Sequence, residues 1–337
     1  MRNIGVDLHS NSLTACYLNP DQSEQLKTVR LAELATFKAS LRNDDQVAVE
    51  ATGNVRWFVE QIRPLVARVV IVNPSQFEVI RKSVKKTDRH DARALALFLS
   101  KDLLPEARLK EKPAAQMESL CQTRQQLVEL RTGLRNKIHA LHRARGLESK
   151  KSEFNSAKGL QAVLKREWEV LERVKLEVII QQIEALDEGI EKLNKQIAEH
   201  GRELAGHRNL TSIKGIGDKS AAILLSVIGN VQDFADAEKL ASYFGIVPRV
   251  SNSNETVQHG RITKRGSKLG RTTLVQCTLV AIKYNEYLKK YYTRMKAKKG
   301  SGKAIIATAH KFLGIIYRTL KNNWVFADFP NFVLAED

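Results

Sequence analysis

Two carboxylates, Asp88 and Asp91, interrupt a strongly basic stretch of the chain, with Lys86 before them and Arg93 after them. If a helix begins at Asp88 with Thr87 as its N-cap, the two acidic side chains lie three residues apart on one face of the first turn. That spacing suits a divalent metal ion. The helix dipole alone also favours acidic residues in a first turn, so the pair by itself leaves both interpretations open.

The elements that must position these carboxylates are short strands and helices. Strand patterns cover residues 2–8, 12–18, 25–31, 46–49 and 68–72, and helical patterns cover residues 32–41, the segment around Trp57 and the segment from Asp88. The resulting order, β-β-β-α-β-α-β-α, predicts an α/β domain. Two further carboxylates, Asp7 late in the first strand and Glu50 after the fourth, lie where such sheets usually place their chemistry.

This order, with acidic residues in the first strand, after the fourth and on a later helix, resembles the ribonuclease-H-like fold of RuvC-type nucleases. The resemblance implies that four carboxylates converge into one acidic cluster, namely Asp7, Glu50, Asp88 and Asp91. Four carboxylates so close together would repel one another strongly unless magnesium offset their charge, so the arrangement requires a metal ion. Taken alone, Asp7 has an equally good interpretation as a turn residue at a strand end.

The net charge of the chain indicates its kind of partner. Its 337 residues allow two or three domains, at about 100–200 residues per domain. A net charge of +18 favours a polyanionic partner, because each phosphate contact made by Lys or Arg releases condensed counterions. Nucleic acid is the leading candidate. An anionic membrane surface is the weaker one, for want of a basic amphipathic segment with exposed aromatic residues.

Hydropathy and cysteine spacing narrow the class further. A hydrophobic content of 43% with 27% charged residues is typical of a soluble globular protein, and no apolar run approaches the roughly 20 residues of a membrane span. The N-terminus shows no signal-peptide pattern. The three cysteines, Cys16, Cys121 and Cys277, lack the paired spacing of zinc or redox sites, which favours buried thiols in a reducing cytoplasm.

Two long heptad patterns occupy the middle of the chain. The first pattern repeats leucine every seventh residue, at Leu120, Leu127, Leu134 and Leu141, with Leu130 and Ile138 at the alternate positions. The second pattern alternates spacings of three and four residues, and its members are Leu176, Ile179, Ile183, Leu186, Ile190, Leu193 and Ile197. Sustained heptads predict a coiled coil, either folded back on itself or shared between subunits. The polar segment between them, residues 146–159, is predicted to be a loop.

Two features beyond the net charge favour contact with nucleic acid. The first heptad helix has a basic face, which either contacts nucleic acid or is simply solvated; its members are Arg124, Arg131, Arg135, Lys137, His142, Arg143 and Arg145. Further on, Gly215 and Gly217 precede an apolar helix, with Lys214 and Lys219 beside them, and the pattern looks like a helix-hairpin-helix. Its glycines would let the backbone approach a phosphate, although a tight turn used only for packing is the alternative.

The C-terminal third carries a hydroxyl-rich loop, residues 245–254, followed by a basic, glycine-bounded loop, residues 260–266. Serine in such loops ordinarily serves turn chemistry. A basic surrounding is nevertheless what a serine that attacks a phosphodiester would need, and the cations concerned are Arg249, Arg261, Lys264 and Arg265. The chain is predicted to finish with a basic helix, residues 283–299, a flexible segment, residues 298–303, and an amphipathic helix, residues 304–320.

An ordered set of motifs resembles one known family over nearly the whole chain. The motifs are Asp7 in Ile-Gly-Val-Asp, Glu50-Ala51-Thr52-Gly53, Asn73-Pro74, Lys86-Thr87-Asp88 with Asp91-Ala92-Arg93, Ile213 with Gly215-Ile216-Gly217, Gly245-Ile246 with Pro248-Arg249, and Ile262-Thr263-Lys264 with Gly266. The family is that of the DEDD-type insertion-sequence transposases of the IS110 type, which include bridge-RNA-guided (seekRNA-guided) recombinases and are related to Piv-type invertases. The set is more specific than any single motif.

The resemblance implies three domains: a RuvC-like metal-binding domain at residues 1–108, a coiled coil at 113–204, and a mostly helical transposase domain at 205–330 that supplies a catalytic serine. By position, that serine is Ser253. The chain departs from the family after it, since many relatives have glycine where this chain has Asn254. A slightly shorter spacing from Ser253 to Gly266 leaves Ser251 as the alternative nucleophile.

The resemblance also implies an activity and its partners. We expect Mg²⁺, with Mn²⁺ as an alternative, held by the carboxylates Asp7, Glu50, Asp88 and Asp91, and a phosphoserine intermediate at Ser253. The expected partners are donor and target DNA, a structured guide RNA, and further copies of the chain in a homodimer or homotetramer, in the cytoplasm of a bacterial or archaeal cell. The runner-up is a RuvC-like endonuclease that uses water as nucleophile, and a noncatalytic architectural DNA binder is the third possibility.

Overall fold

The computed structural model describes residues 1–74, 76–77, 87–253 and 256–334, and for residues 250–253 and 256–259 it describes the backbone. The chain divides into two compact units, Met1–Leu109 and Lys110–Asp337. In the part of the chain that the structure describes, no helix combines the length and the apolar character that crossing a bilayer requires.

The first unit is built on a five-stranded sheet with the strand order β3-β2-β1-β4-β5. Its strands are β1 (Asn3–Leu8), β2 (Ser12–Leu18), β3 (Glu24–Arg30), β4 (Gln46–Glu50) and β5 (Arg68–Val72). Strand β1 pairs antiparallel with β2 and parallel with β4, and β4 pairs parallel with β5. The prediction of an α/β domain with strands at these positions is confirmed.

Helices cover both faces of this sheet. They are α1 (Leu34–Ala39), α2 (Val55–Ile62) and α3 (Asp88–Ser100). On one face, Phe37 and Phe58 are fully buried against Ile4 and Val6. On the other face, α3 lies directly against the sheet.

The close approach of α3 depends on small residues. A Cβ placed at Gly5 would overlap the backbone of Ala92 and Ala96 and would lie 2.8 Å from the Cβ of Leu95. Ala92 and Ala96 stand one turn apart on α3, are buried, and present little bulk to β1. The glycine in the middle of β1 therefore fixes how near the helix comes to the strand.

The second unit begins with two long helices, α4 (Lys112–Ala144) and α6 (Val170–Gly201), joined by a segment that contains α5 (Ala157–Leu164). Arg124 donates to Asn194 and Arg131 pairs with Asp187, so the two helices run antiparallel as a hairpin within the chain. The second heptad pattern forms the buried face of α6. Four of its members, spaced seven residues apart, are almost inaccessible to solvent: Leu176, Ile183, Ile190 and Ile197.

Two predictions for this hairpin need correction. Leu130 is predicted to lie in the apolar seam, but it is 59% exposed and so lies outside the packed interface of the two helices. The segment 146–159 is not simply a loop: Glu153–Asn155 forms a 3₁₀ turn, and α5 begins at Ala157 behind the N-cap Ser156. The hydroxyl of Ser156 accepts a hydrogen bond from the Gly159 amide, a capping pattern that ends the loop early.

The rest of the second unit packs around the buried helix α8. Its elements are α7 (His207–Thr211), α8 (Asp218–Ile228), α9 (Ala237–Phe244), β6 (Pro248–Ser253), β7 (Thr256–Ile262), α10 (Lys268–Tyr284) and α11 (Glu286–Lys321). The core includes Phe244, Phe312 and Phe329, all nearly inaccessible. Helix α11 is broken at Gly300, which has a φ of 76°, inside the segment predicted to separate two helices.

The hydroxyl-rich segment that was predicted to be a loop is instead one strand of a β-hairpin. Strands β6 and β7 pair antiparallel, with Ser251 opposite Gln258 and Ser253 opposite Thr256. The prediction was wrong because serine and asparagine are poor strand formers, so the sequence pattern favours a turn where cross-strand pairing makes a strand.

Candidate metal centre

The register of the sheet places Asp7 beside Glu50. Val6 pairs with Val49 in the parallel ladder of β1 and β4, so Asp7 and Glu50 follow next to each other at the carboxyl ends of these strands. Side chains alternate along a strand, so Asp7 shares a face with Gly5 two residues earlier. That face is the one covered by α3. Both acidic residues therefore lie at the edge of the sheet on the side of this helix.

Helix α3 delivers the other two carboxylates from its first turn. Thr87 is the N-cap, and its hydroxyl accepts a hydrogen bond from the His90 amide at 3.3 Å, as predicted. Asp88 and Asp91 both lie in the first turn. Because the helix packs over β1, its N-terminus comes to the strand end that carries Asp7.

A histidine that is not among the predicted site residues completes this arrangement. The Nε2 atom of His9 lies 3.2 Å from Oδ2 of Asp7 and 3.4 Å from Oδ2 of Asp88. One potential ligand atom from each of these three residues lies within 4.8 Å of the other two. Among the described residues, this group of three includes neither Glu50 nor Asp91. The signal in the sequence was the spacing from Asp7 to His9, which puts both side chains on one face as the strand ends.

Hydrogen bonds tie the loop after β4 to the turn that carries His9. The side-chain amide of Asn54 donates to the carbonyl oxygen of His9 at 2.8 Å. The hydroxyl of Thr52 in turn donates to the side-chain oxygen of Asn54 at 3.0 Å. The residues that follow Glu50 thus hold the backbone of His9, and the strand ends of β1 and β4 are fixed relative to each other.

The electrostatics of Asp7 show that the carboxylates of α3 reach it. Burial raises the pKa of Asp7, the negative charges of Asp88 and Asp91 raise this pKa further, and His9 opposes the shift. The side chain of Asp7 is only 15% exposed, whereas that of Asp88 is 58% exposed. The site is therefore open toward solvent on the helix side and enclosed on the strand side.

The donor set fits a divalent metal ion. Carboxylate oxygens are the preferred ligands of Mg²⁺ and Mn²⁺, and a neutral imidazole nitrogen is a good ligand for the softer of these ions. A cation between the donors would offset the mutual repulsion that raises the pKa of Asp7. The structure thus places together Asp7 and Asp88, two of the four carboxylates that the resemblance implied, and it adds His9.

The predicted nucleophile lies in the second unit. Ser253 is the last residue of β6, and its backbone pairs with that of Thr256 near the end of the hairpin. The side chains of Ser251 and Ser253 and the whole of Asn254 lie outside the described part of the structure. The role of Ser253 accordingly stays a prediction.

The two glycines of the helix-hairpin-helix pattern have different surroundings. Gly215 has a φ of 113°, and a Cβ there would lie 2.8 Å from the backbone nitrogen of Ala281, so this glycine serves packing against α10. At Gly217, the N-cap of α8, a Cβ would meet nothing within 4 Å. Lys214 and Lys219 are exposed beside this open N-terminus.

The predicted cations of the C-terminal loops lie at the base of the β-hairpin. Four side chains are exposed there, namely Arg249, Arg261, Lys264 and Arg265. The amide of Lys264 donates to the carbonyl of Gly245 at 3.0 Å. The side chain of Arg271 donates to the carbonyls of Phe244 and Gly266, which fixes the basic loop on the end of α9. The structure therefore brings the backbone of these four exposed residues to the same end of the β-hairpin.

Comparisons with known proteins identify two family models along the chain. A family model described as "Transposase" (DEDD_Tnp_IS110) matches residues 4–143, and a model described as "Transposase IS116/IS110/IS902 family" matches residues 207–293. The first match contains all four predicted carboxylates. The second contains the glycine turn before α8 and the β-hairpin with Ser253.

Curated relatives match over longer stretches. The chain is 25% identical over 326 residues to the "Transposase for insertion sequence element IS1111A" of Coxiella burnetii, covering 94% of this chain and 89% of the relative. It is 27% identical over 235 residues to a "Probable family 20 transposase" of Pseudomonas aeruginosa, covering 68% of this chain and 69% of the relative. The chain is also 34% identical over 118 residues to the "Pilin gene-inverting protein" of Moraxella lacunata. This shorter match covers 34% of this chain and 36% of the relative.

Proposed function

The chain belongs to the IS110/IS116 family of transposases, enzymes that cut and rejoin DNA, and from this premise we propose that it is an RNA-guided recombinase with a serine nucleophile. The observation that carries the proposal is the meeting of Asp7 and Asp88, from a strand end and a helix start far apart in sequence, around His9. Such a cluster of charged groups is expensive to assemble unless it serves a site.

We assign Asp7, Glu50, Asp88 and Asp91 to the binding of a divalent metal, Mg²⁺ or Mn²⁺. The ion would polarise the scissile phosphate and help to ionise the serine hydroxyl. The protein itself provides a rigid strand end for Asp7 and the first turn of α3 for Asp88, so the two carboxylates are held before the metal arrives. This pre-organisation lowers the cost of binding.

The covalent step uses the hydroxyl of Ser253. Its Oγ forms a bond to phosphorus while the bond from phosphorus to the leaving DNA strand breaks, and the proton of the serine passes to the released strand. Attack by a strand hydroxyl on the phosphoserine reverses the exchange with a new partner. The number of phosphate ester bonds is constant throughout, so rejoining needs no external energy source.

Exposed cations support the binding of both nucleic acids. In our proposal the donor and target DNA and a structured guide RNA contact the basic surface made by Arg249, Arg261, Lys264 and Arg265, and the RNA supplies sequence recognition by base pairing. The open N-terminus of α8 at Gly217, flanked by Lys214 and Lys219, would contact phosphates as a helix-hairpin-helix does. The protein would act in the cytoplasm, where these partners meet.

Self-association through the helical hairpin is supported by apolar side chains left exposed on α6. Val170 and Leu171 are 79% and 83% exposed, and Val174 and Val178 are each 53% exposed. The spacing of these residues puts them along one side of the helix, which suits a coiled-coil contact with a second copy of the chain. A dimer or tetramer built this way would share active sites, with the carboxylates from one copy and the serine from another.

One experiment tests the proposed function. The protein is incubated with cognate RNA, Mg²⁺ and end-labelled junction DNA, and the products are separated on denaturing gels. We expect a covalent protein–DNA adduct that disappears in Ser253→Ala and persists in Ser251→Ala, the matched control on the same strand. An adduct that is lost only in Ser251→Ala would move the nucleophile to that residue.

The second candidate is a metal-dependent endonuclease of RuvC type that uses water as nucleophile. It is favoured by one observation: the group formed by Asp7, His9 and Asp88 lies wholly within the first unit. DNA cleavage that survives Ser253→Ala but not Asp88→Asn would establish this alternative. If neither substitution alters any DNA product and only salt-dependent binding is measured, the protein is an architectural binder.

A further inference from the structure

A large cavity lined mainly by polar and charged residues lies at the end of the helical hairpin, away from the start of α4. There the chain leaves α4, turns at Gly146 with a φ of 67°, and folds back beside the last turns of the helix. The resulting cavity, which we call the tip pocket, has a volume of about 1400 Å³ and is lined by residues between Thr132 and Asn155. Pockets that enclose small ligands usually measure about 300–1,000 Å³, so the tip pocket suits a larger molecule.

The lining of the tip pocket has an excess of positive charge. Four cationic side chains, Arg135, Arg143, Lys150 and Lys151, face two acidic ones, Glu148 and Glu153. Most of the buried charge is already matched, since Arg135 pairs with Asp187 at 3.2 Å and Glu153 pairs with Arg166 at 3.1 Å.

Three of these cations are available to a ligand. Arg143, Lys150 and Lys151 are exposed, and the structure pairs none of their side chains with an acidic group among the described residues. Arg143 stands in the last turn of α4, where the helix dipole favours a cation without any ligand. Lys150 and Lys151 lie beyond the helix, so the dipole does not account for them.

The walls of the tip pocket are held in place by the protein. His139 Nδ1 lies 2.9 Å from the hydroxyl of Ser149, and Arg135 donates to Asn155 at 3.3 Å, so two hydrogen bonds join α4 to the returning loop. The His139 ring lies 4.4 Å from the ring of Phe154, which is completely buried. A ligand would therefore meet a preformed surface with an aromatic ring in its wall.

From these features we infer that the tip pocket binds the sugar–phosphate backbone of a polynucleotide, with the phosphates at Arg143, Lys150 and Lys151 and a base against the ring of His139. Adjacent cations match the repeated negative charge of a polynucleotide strand, and aromatic rings in such sites stack with bases of any sequence. The inference rests on the proposed function in one respect, namely that the protein acts on nucleic acid. It adds a contact with nucleic acid that neither the carboxylates of the first unit nor the cations at the base of the β-hairpin supply.

The test compares two charge-reversed proteins of equal net charge. One carries Lys150→Glu with Lys151→Glu in the tip pocket, and the control carries Lys101→Glu with Lys175→Glu, two exposed lysines outside the pocket. Fluorescence anisotropy measures binding of a labelled 20-nucleotide single strand, as RNA and as DNA, and of a 20-base-pair duplex at several salt concentrations. Circular dichroism first verifies that each variant is folded.

The expected result is a change in the salt dependence of binding. The plot of log affinity against log salt should become shallower by about 1.4 for a single strand in the pocket variant, since each lost phosphate contact removes about 0.7. The control should keep the wild-type slope. The single strand whose slope changes more identifies the polynucleotide as RNA or DNA, and a change confined to the duplex would contradict a base against the His139 ring.

A second measurement reports proximity directly. A benzophenone amino acid replaces Asn136, which lines the tip pocket, or Lys175 as a control, and the labelled probes are irradiated with the protein. Crosslinking at 136 and not at 175 supports the inference. The inference is overturned if the wild-type protein binds the probes, the Lys150→Glu/Lys151→Glu variant keeps the wild-type salt slope, and position 136 does not crosslink. In that case the proposed function stands. If the wild-type protein binds no probe, the inference and the proposed function both fail.

Discussion

The Nε2 atom of His9 lies 3.4 Å from a carboxylate oxygen of Asp88, so the turn after the first strand touches the first residue of α3. The same nitrogen lies 3.2 Å from Asp7. One imidazole thus joins the strand-borne and the helix-borne carboxylates. Any metal held by these two carboxylates must either accept this nitrogen as a ligand or displace it, and either event changes how tightly the metal binds.

We expect His9→Ala to weaken divalent-metal binding by about 10- to 100-fold, the usual effect of removing a group that ligates or orients a metal site. Isothermal titration of the protein with Mn²⁺ measures this directly, without DNA. His200→Ala removes an exposed imidazole on α6 and is the matched control. Equal Mn²⁺ affinity of the His9→Ala and wild-type proteins would show that this histidine has no part in the metal site.

The raised pKa of Asp7 predicts how stability responds to pH in the absence of metal. The folded protein holds the proton of Asp7 more tightly than the unfolded chain does, so stability decreases as pH rises above the ordinary value of 3.8 and through the raised pKa. Asp7→Asn removes the charge. The variant should therefore melt at a higher temperature than the wild type at pH 7 in EDTA.

Thermal unfolding at pH 4 and pH 7, with and without Mg²⁺, checks this prediction. Mg²⁺ should stabilise the wild type and have much less effect on Asp7→Asn, because a ligand stabilises only the state that binds it. Asp21→Asn is the contrasting control. Because hydrogen bonds from Ser23 lower the pKa of Asp21, removing this carboxylate should not stabilise the folded protein at pH 7. A wild type that is as stable as Asp7→Asn at pH 7 in EDTA would contradict the argument.

Gly5→Ala should destabilise the first unit and reduce activity together. The added methyl would overlap the backbone of Ala92 and Ala96, so α3 would have to move outward and carry Asp88 away from Asp7. Overpacking of this kind typically costs about 1–3 kcal/mol. Urea unfolding measures the free-energy change, and Mn²⁺ titration measures the site.

The matched control for Gly5 is Gly133→Ala in the middle of α4, where a Cβ meets nothing within 4 Å. Because alanine is the better helix former, this variant should gain about 0.5–1 kcal/mol. Normal metal affinity in Gly5→Ala would mean that the close approach of α3 to β1 does not position Asp88.

Charge on the exposed apolar side of α6 should prevent self-association. Leu171→Glu with Val174→Glu places two carboxylates among side chains that are otherwise 53–83% exposed and apolar. We expect light scattering after gel filtration to give a mass of one chain for this variant and a multiple of it for the wild type. Leu103→Glu alters an exposed leucine of the first unit and should leave the mass unchanged. A wild-type mass of one chain would exclude the shared active site.

The sequence was sufficient to predict the sheet and part of the site. Short, largely apolar runs bounded by turn residues located the five strands of this sheet to within one residue, and the capping pattern at Thr87 located the start of α3. Both signals depend on residues that are near one another in sequence, so they can be recognised without knowing the fold. The position of Asp88 beside Asp7 required the resemblance to a known fold.

Features decided by tertiary contacts were not predictable in the same way. His9 acquires its role only because α3 brings Asp88 to it. The heptads did not determine whether the two long helices pair within one chain, which the contact of Arg124 with Asn194 decides. Gly215 matched a phosphate-binding pattern, but its neighbour is the backbone of Ala281. In each case the deciding partner is remote in sequence.

The length of α4 sets a distance for any nucleic acid that contacts both of its ends. From Met117, which packs against α8 at the base, to its last residue, Ala144, at the tip, the helix rises about 40 Å at 1.5 Å per residue. A duplex of that length contains about 12 base pairs at 3.4 Å each. On the proposed function the hairpin would therefore set a minimum length, and a much shorter duplex could not contact α8 and the tip pocket together.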